Sequence, residues 1–196
     1  MTRSFPPEIR TQRLVLRRQR PEDTALIKEA VDASLAHLKA SVAWAQTAPL
    51  SLQELSAHLA ASAVAFDAGE AWTFSVFDLA RSRVLGAVGL APGEPALVAL
   101  LGPDVVEMGY WLRADATGQG YATEAAGALA GLAFSRLGAR RAAICHDPAN
   151  TASAGVPRRL GFACLGLVTD AVLPGRQAAD GSVRPATTVW MLDGPA

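Results

Sequence analysis

An α/β (α+β) domain, built on a mixed central sheet of about seven strands with helices on both faces, is the fold class this sequence predicts. Three observations carry that reading. Hydrophobic residues make up 51% of the 196 residues and charged ones 18%, enough apolar side chain to cover both faces of a sheet within a single domain. Short strand-like runs recur between longer stretches of helical spacing. Their order is strand, two or three helices, three strands, helix, strand, helix and two strands, with no internal repeat or low-complexity tract.

RLVLRRQ (13–19) alternates Leu14 and Leu16 against Arg13, Val15 and Arg17 and reads as the first strand. Pro21, Glu22 and Asp23 then open a helix, because proline suits a first helical turn and acidic groups suit its partly positive end. Leu26, Ile27, Ala30 and Val31 turn inward, and a second helical piece holds Leu35, His37, Leu38 and Trp44. Ser51 and Glu54 form an S-x-x-E capping box, followed at helical spacing by Leu52, Leu55, Leu59, Ala63 and Phe66 until Gly69 ends the helix. AWTFSVFD (71–78) and VLGAVGL (84–90) are strands around an LARSR hairpin, while PGEPALVALLGP (92–103), punctuated by proline and glycine, reads as a long connection. The fourth strand, VVEMGYWLR (105–113), runs through ADATGQGYAT into the alanine-rich helical run EAAGALAGLAF. Strand RAAICH (141–146), a short helix near 153–160, strand FACLGLVTDAVL, loop PGRQAADGS and a last strand TTVWML complete the chain.

Basic and acidic residues balance at 18 each, so no global field draws the protein onto nucleic acid or an anionic membrane, and neither is an expected partner. No run approaches the ~18 apolar residues of a membrane span, and MTRSFPPEIR lacks the apolar core of a secretion signal. A cytoplasmic address is expected. Cys145 and Cys164 sit in apolar strand-like runs without zinc or redox spacing, so they are expected to be reduced core thiols, and no metal is expected.

Chemistry is concentrated at TGQGYA (117–122). Its glycines leave the backbone open, and a helix beginning near Gly120 points free N–H groups outward, an arrangement that binds pyrophosphate. The Gly-Lys-Ser/Thr ending of a P-loop is absent, and Gly118 and Gly120 lead to Thr123 rather than to the third glycine of a dinucleotide fingerprint. The plain alternative is a glycine turn that lets a strand reverse into a helix.

On these residues the chain resembles the GNAT superfamily, the Gcn5-related N-acetyltransferases, and within it the Rim-type branch that acetylates ribosomal-protein N-termini. TQRLVLRRQRPEDTALI, SLAHLKASVAWAQ, EMGYWLRADATGQGYATEA and PANTASAGVPRRLGF carry the resemblance. The superfamily motif Gln/Arg-x-x-Gly-x-Gly/Ala falls on Thr117, Gly118, Gln119, Gly120, Tyr121 and Ala122. Thr117 replaces the cationic fork of arginine with a hydroxyl, so the backbone is expected to do most of the holding. The resemblance implies a GNAT fold with the sheet splayed between its fourth strand (105–113) and fifth (141–146), and acetyl-CoA as cosubstrate. It lays pantetheine along Tyr110, Trp111 and Leu112, and the pyrophosphate on the 117–122 motif and Thr123. It also implies a homodimer, for which the apolar last strand TTVWML is a candidate surface.

Acetyl transfer needs a neutral amine, a stabilised oxyanion and a proton for the departing thiolate. An α-amine with pKa near ~8 is about a tenth neutral at pH 7, so a protein N-terminus asks less of a base than a lysine. By resemblance Ser153 is the general acid toward that thiolate, and Asn150 bonds the pantetheine arm or the substrate; both residues also suit a helix cap, and the roles can coexist. Glu107 shares a strand face with Gly109 and Trp111 and is the candidate base, with a solvated or ion-paired carboxylate as the alternative. Glu124, in the first turn of its helix, is explained by the helix dipole. His37 and Trp44 are candidates to line the acceptor pocket, and His146 ends a strand beside the gap. The expected reaction is direct attack by a primary amine, of a protein N-terminus or a small molecule, in a ternary complex without a nucleophilic cysteine. A catalytically inactive CoA-binding sensor or interaction domain, and an acyltransferase for a longer acyl-CoA, are the alternatives.

Overall fold

The computed structural model describes residues 5–40, 42–48 and 50–195. The first four residues of MTRSFPPEIR, and Ser41 within SLAHLKASVAWAQ, lie outside the described residues. Eight strands form one sheet: β1 (Glu8–Arg10), β2 (Leu14–Arg18), β3 (Trp72–Asp78), β4 (Val84–Pro92), β5 (Val105–Leu112), β6 (Arg141–His146), β7 (Ala163–Thr169) and β8 (Ala186–Asp193), in the order β1-β2-β3-β4-β5-β6-β8-β7. The strand beyond the expected seven is β1, three residues paired to β2 and too short for periodicity to mark. Only β5 and β6 run parallel; every other neighbouring pair is antiparallel.

The helices are α1 (Thr24–Asp32), α2 (Leu35–Lys39), α3 (Leu52–Ala68), α4 (Pro95–Leu101), α5 (Tyr121–Leu132) and α6 (Thr151–Arg159). Side chains alternate across the sheet and sort into cores. Leu14, Leu16, Val76, Val88, Met108 and Ile144 belong with Ala125, Ala126 and Leu129 of α5 to the largest core, whereas Val15, Phe77 and Val84 pack with Ile27 of α1 and Leu55 and Leu59 of α3. A third cluster seats Leu97 and Leu101 of α4 on Val105, Ala143 and Val189. Each fully buried leucine stabilises the fold by roughly 1.5–3 kcal/mol.

The capping box forms as expected: Ser51 Oγ accepts from the Glu54 amide at 3.2 Å while the Glu54 carboxylate accepts from the Ser51 amide at 2.8 Å. PGEPALVALLGP, read as a connection, instead contains α4. Pro95 occupies the first helical turn and Gly102 the stop, so the same punctuation frames a helix rather than a loop. The last strand, TTVWML, cannot form a sheet edge across a dimer, because β8 is paired on both sides, to β6 and to β7. The edge strand at this end of the sheet is β7, which exposes Leu165, Leu167 and Cys164; Cys164 is therefore not a core thiol.

The parallel ladder between β5 and β6 ends at Met108↔Ile144, although β5 continues against β4 to Leu112↔Gly86 and β6 continues against β8 to His146↔Thr188. Each strand keeps its outer partner and loses the shared one. The expected splay is therefore present between these two strands. Across β4, Gly86 lets the backbone of β5 come very close: a Cβ there would lie 2.1 Å from the carbonyl oxygen of Trp111. Gly86→Ala should accordingly cost on the order of 1–3 kcal/mol by overpacking. Urea unfolding measures it, and an unchanged midpoint would contradict the close approach.

Candidate active site

The slot between β5 and β6 is lined by main-chain groups of defined direction. Gly93 N donates to Val105 O and Arg113 N to Leu85 O, and the antiparallel register pairs Glu107, Gly109 and Trp111 with Ala91, Gly89 and Ala87. Odd-numbered residues of β5 thus turn their N–H and C=O groups to β4, while Tyr110 and Leu112 turn theirs to the slot. Trp111, expected beside them, has its main chain taken by β4. It reaches the site through its indole, packed edge-to-face with Trp44 at 5.8 Å.

At the end of β5 the chain turns sharply into α5. Gly118 (φ 72°) and Gly120 (φ 80°) adopt the left-handed conformation that favours glycine, and the amides of Gly118, Gln119 and Gly120 have no acceptor among the described residues. The first-turn amides of Tyr121, Ala122 and Thr123 add to this concave set of donors. Thr117 Oγ1 donates to Ala114 O at 2.8 Å, so its hydroxyl proton is already used in shaping the turn.

Residues far away in sequence hold this loop. Arg13 donates through Nε to Glu124 (2.7 Å) and through Nη1 to Gln119 O (2.9 Å), and its guanidinium lies over the Tyr121 ring. Thr11 Oγ1 and the Arg13 amide donate to the other Glu124 oxygen. Burial alone would raise the Glu124 pKa, but these hydrogen bonds and the Arg13 charge outweigh it and hold the carboxyl below its usual range. Glu124 is thus a clamp as well as a partner for the helix dipole. On the other flank Arg113, buried, forms a fork with Glu29 (2.7 and 3.0 Å) and bonds Asp115 (2.8 Å), while Ser34 Oγ accepts from the Ala114 amide.

Asn150 caps α6, its Oδ1 accepting from the Ser153 amide at 3.1 Å, and the helix begins at Thr151, two residues before the expected start. The cap uses the carbonyl of Asn150 and leaves its NH₂ group for a ligand. Ser153 lines the cleft, and its Oγ lies 3.1 Å from the Tyr110 hydroxyl. His146 is held on both nitrogens: Nε2 accepts from Trp190 Nε1 at 3.0 Å, which leaves Nδ1 to donate to Asp147 O at 2.8 Å.

Opposite α5, the slot opens into a cleft of about 1180 Å³. Ala87, Gly89, Ala91 and Gly109 line its floor, and Trp44, Leu55 and His58 its α3 side. His37, on α2, is not among its lining residues. Glu107 is, but both its oxygens are engaged by Arg176, from Nη1 and from Nη2 at 2.9 Å, and Arg176 also reaches Glu94. The ion-paired alternative for Glu107 is therefore the one observed, and collecting a proton from an amine would require Arg176 to withdraw. Burial and the Glu107 charge push the neighbouring Cys145 thiol up to about 12, which keeps it protonated and unsuited to nucleophilic attack. Among the described residues no group of three His, Cys, Asp or Glu could hold a metal ion, and no helix is long and apolar enough to cross a membrane.

Sequence reasoning missed Arg13, Arg113, Arg176 and the hydroxyl of Tyr110, because each acts through a partner 43 to 111 residues away, as in Tyr110–Ser153 and Arg13–Glu124. Since the folded-state pKa of Glu124 is depressed, its contribution to stability is present above the unfolded-state value and is lost as pH falls through the folded one. Glu124→Gln should therefore lower the unfolding midpoint near pH 7, with the gap from wild type closing in acid. A gap that persists below the carboxylate range would contradict the clamp.

Residues 13–163 match the family described as the acetyltransferase (GNAT) domain. No curated protein matches the chain significantly. Among solved structures, the RimL ribosomal L7/L12 α-N-protein acetyltransferase in complex with coenzyme A superposes with a TM-score of 0.77 at 23% identity, over 95% of this chain and 98% of that one. The microcin C7 self-immunity acetyltransferase MccE, in complex with acetyl-CoA and AMP, gives 0.79 at 16% identity over 98% and 99% of the two chains. The Salmonella typhimurium acetyl transferase that modifies the N-terminal serine of 50S ribosomal subunit protein L7/L12 gives 0.72 at 22% identity over 93% and 96%. At these identities the superpositions establish the shared fold, and the match over residues 13–163 establishes the family: the chain belongs to the GNAT acetyltransferases.

Proposed function

We propose that the protein is an acetyl-CoA-dependent N-acetyltransferase that modifies a protein N-terminal α-amine by direct attack in a ternary complex. The observation that carries this is the parting of β5 from β6, which joins the glycine cradle at one end to the acceptor cleft on the other side. When bound, acetyl-CoA supplies an acyl group activated as a thioester. Main-chain groups of Tyr110 and Leu112 suit an extended pantetheine arm, and the amides of residues 118–123 suit a pyrophosphate. Thr117 serves the turn rather than the charge. Asn150 offers its NH₂ group to the arm, and Ser153 Oγ supplies a proton to the departing thiolate.

Acceptor deprotonation is assigned to solvent rather than to Glu107, because an α-amine is about a tenth neutral near pH 7 and both Glu107 oxygens are engaged. Trp44 and Trp111 wall the cleft beside a floor of alanine and glycine, which leaves room for an extended peptide end. The ribosomal substrates named for two structural relatives support a protein acceptor and a cytoplasmic address. Self-association as a homodimer would use the apolar edge β7.

Free-thiol release from acetyl-CoA, followed with a panel of N-terminal peptides beside small amines, tests the reading. Peptide-dependent release is expected, and tight calorimetric binding of CoA without turnover on any amine would favour a sensor instead. Ser153→Ala should lower kcat about a hundredfold, within the usual range for loss of a general acid, and leave CoA affinity unchanged.

A further inference from the structure

Pro157 sits inside α6, where it has no N–H to give to the carbonyl four residues earlier, that of Ser153. The Ser153 carbonyl is not left bare. The Tyr110 hydroxyl, reaching across from β5, donates to it at 3.0 Å and lies 3.1 Å from Ser153 Oγ. A proline that would otherwise only weaken a helix thus fixes a phenol against the serine of the active site. The Tyr110 ring packs against the core, so the contact is held from both ends.

We propose that Tyr110 is a positioning residue that acts through Ser153, replacing the proton that Ser153 Oγ gives to the departing thiolate. This rests on Ser153 being the acid of the proposed acetyl transfer. A serine hydroxyl alone is a poor proton donor to a thiolate, because like water it ionises far above a thiol, whereas a phenol ionises near ~10. Burial pushes the Tyr110 phenol up to about 12, offset in part by its bond to Ser153 and by the charge of Arg159, and it remains the better proton source. As the acceptor nitrogen bonds to the acetyl carbon and the C–S bond breaks, sulfur keeps the electron pair and takes the Ser153 proton. Tyr110 Oη turns from the Ser153 carbonyl to Oγ and passes its own proton on. The proton shed by the acylated nitrogen returns through water to the tyrosinate, so one amine and one thioester give one amide and one thiol with no net change at either hydroxyl.

Tyr110→Phe keeps the ring and removes the proton. It should lower kcat about tenfold to a hundredfold with both KM values and the calorimetric Kd for acetyl-CoA unchanged. The double variant with Ser153→Ala should be no slower than Ser153→Ala alone, because the two groups act in series. The dependence of rate on deuterium content should be curved in the wild type, with two protons in flight, and linear in Tyr110→Phe. Ring-fluorinated tyrosine at position 110 keeps both hydrogen bonds with a more acidic phenol, so a changed kcat supports proton transfer even if Tyr110→Phe folds poorly, and an unchanged one contradicts it. Additive losses, or a Tyr110→Phe enzyme of full kcat beside a slow Ser153→Ala enzyme, overturn the relay alone. A Ser153→Ala enzyme of full kcat overturns the relay together with the acid role of Ser153.

Discussion

The parting of two parallel strands is the constraint on which the rest of this structure depends. β5 and β6 share a ladder only from Val105↔Arg141 to Met108↔Ile144, and beyond it each stays bound to its outer neighbour. Unpaired main-chain groups inside a protein are costly unless something satisfies them. The slot beside Tyr110 and Leu112 therefore reads as a ladder waiting for a partner of extended, hydrogen-bonding backbone, and the pantetheine arm has that character. The cradle, the capped start of α6 and the large cleft all open onto this one discontinuity.

Charge is used chiefly to hold loops in place. Arg13 with Glu124 fixes the inner edge of the cradle, Arg113 with Glu29 and Asp115 fixes its outer edge, and Arg176 with Glu107 and Glu94 ties the 170–185 connection to the acceptor side. Apart from Arg113–Asp115, these pairs join segments far apart in sequence, and the cradle itself contributes no basic side chain. Where such pairs reach solvent they add little stability individually. Their effect is geometric: those of Arg13 and Arg113 hold the turn that presents the backbone amides of residues 118–123.

Local signals were legible in the sequence wherever a few adjacent residues determine the outcome. The Ser51–Glu54 box, the strand alternation of Leu14 and Leu16, and the glycine turn at 118–120 all appear as read. PGEPALVALLGP misled because proline and glycine mark helix ends as readily as loops, and only burial of Leu97 and Leu101 against the sheet decides between them. Glu107 was legible as a carboxylate that is either a base or ion-paired, but its partner was not, since Arg176 lies 69 residues further on. What Pro157 does, freeing the Ser153 carbonyl for Tyr110, depends on a strand 43 residues away.

Residue-resolved amide hydrogen exchange with and without CoA tests the role of the strand parting most directly. CoA should slow exchange at Tyr110 and Leu112, whose amides face the slot, and leave Trp111, already bonded to β4, slow in both states. Exchange at Tyr110 and Leu112 that is unchanged by saturating CoA would contradict the slot as the cofactor's seat.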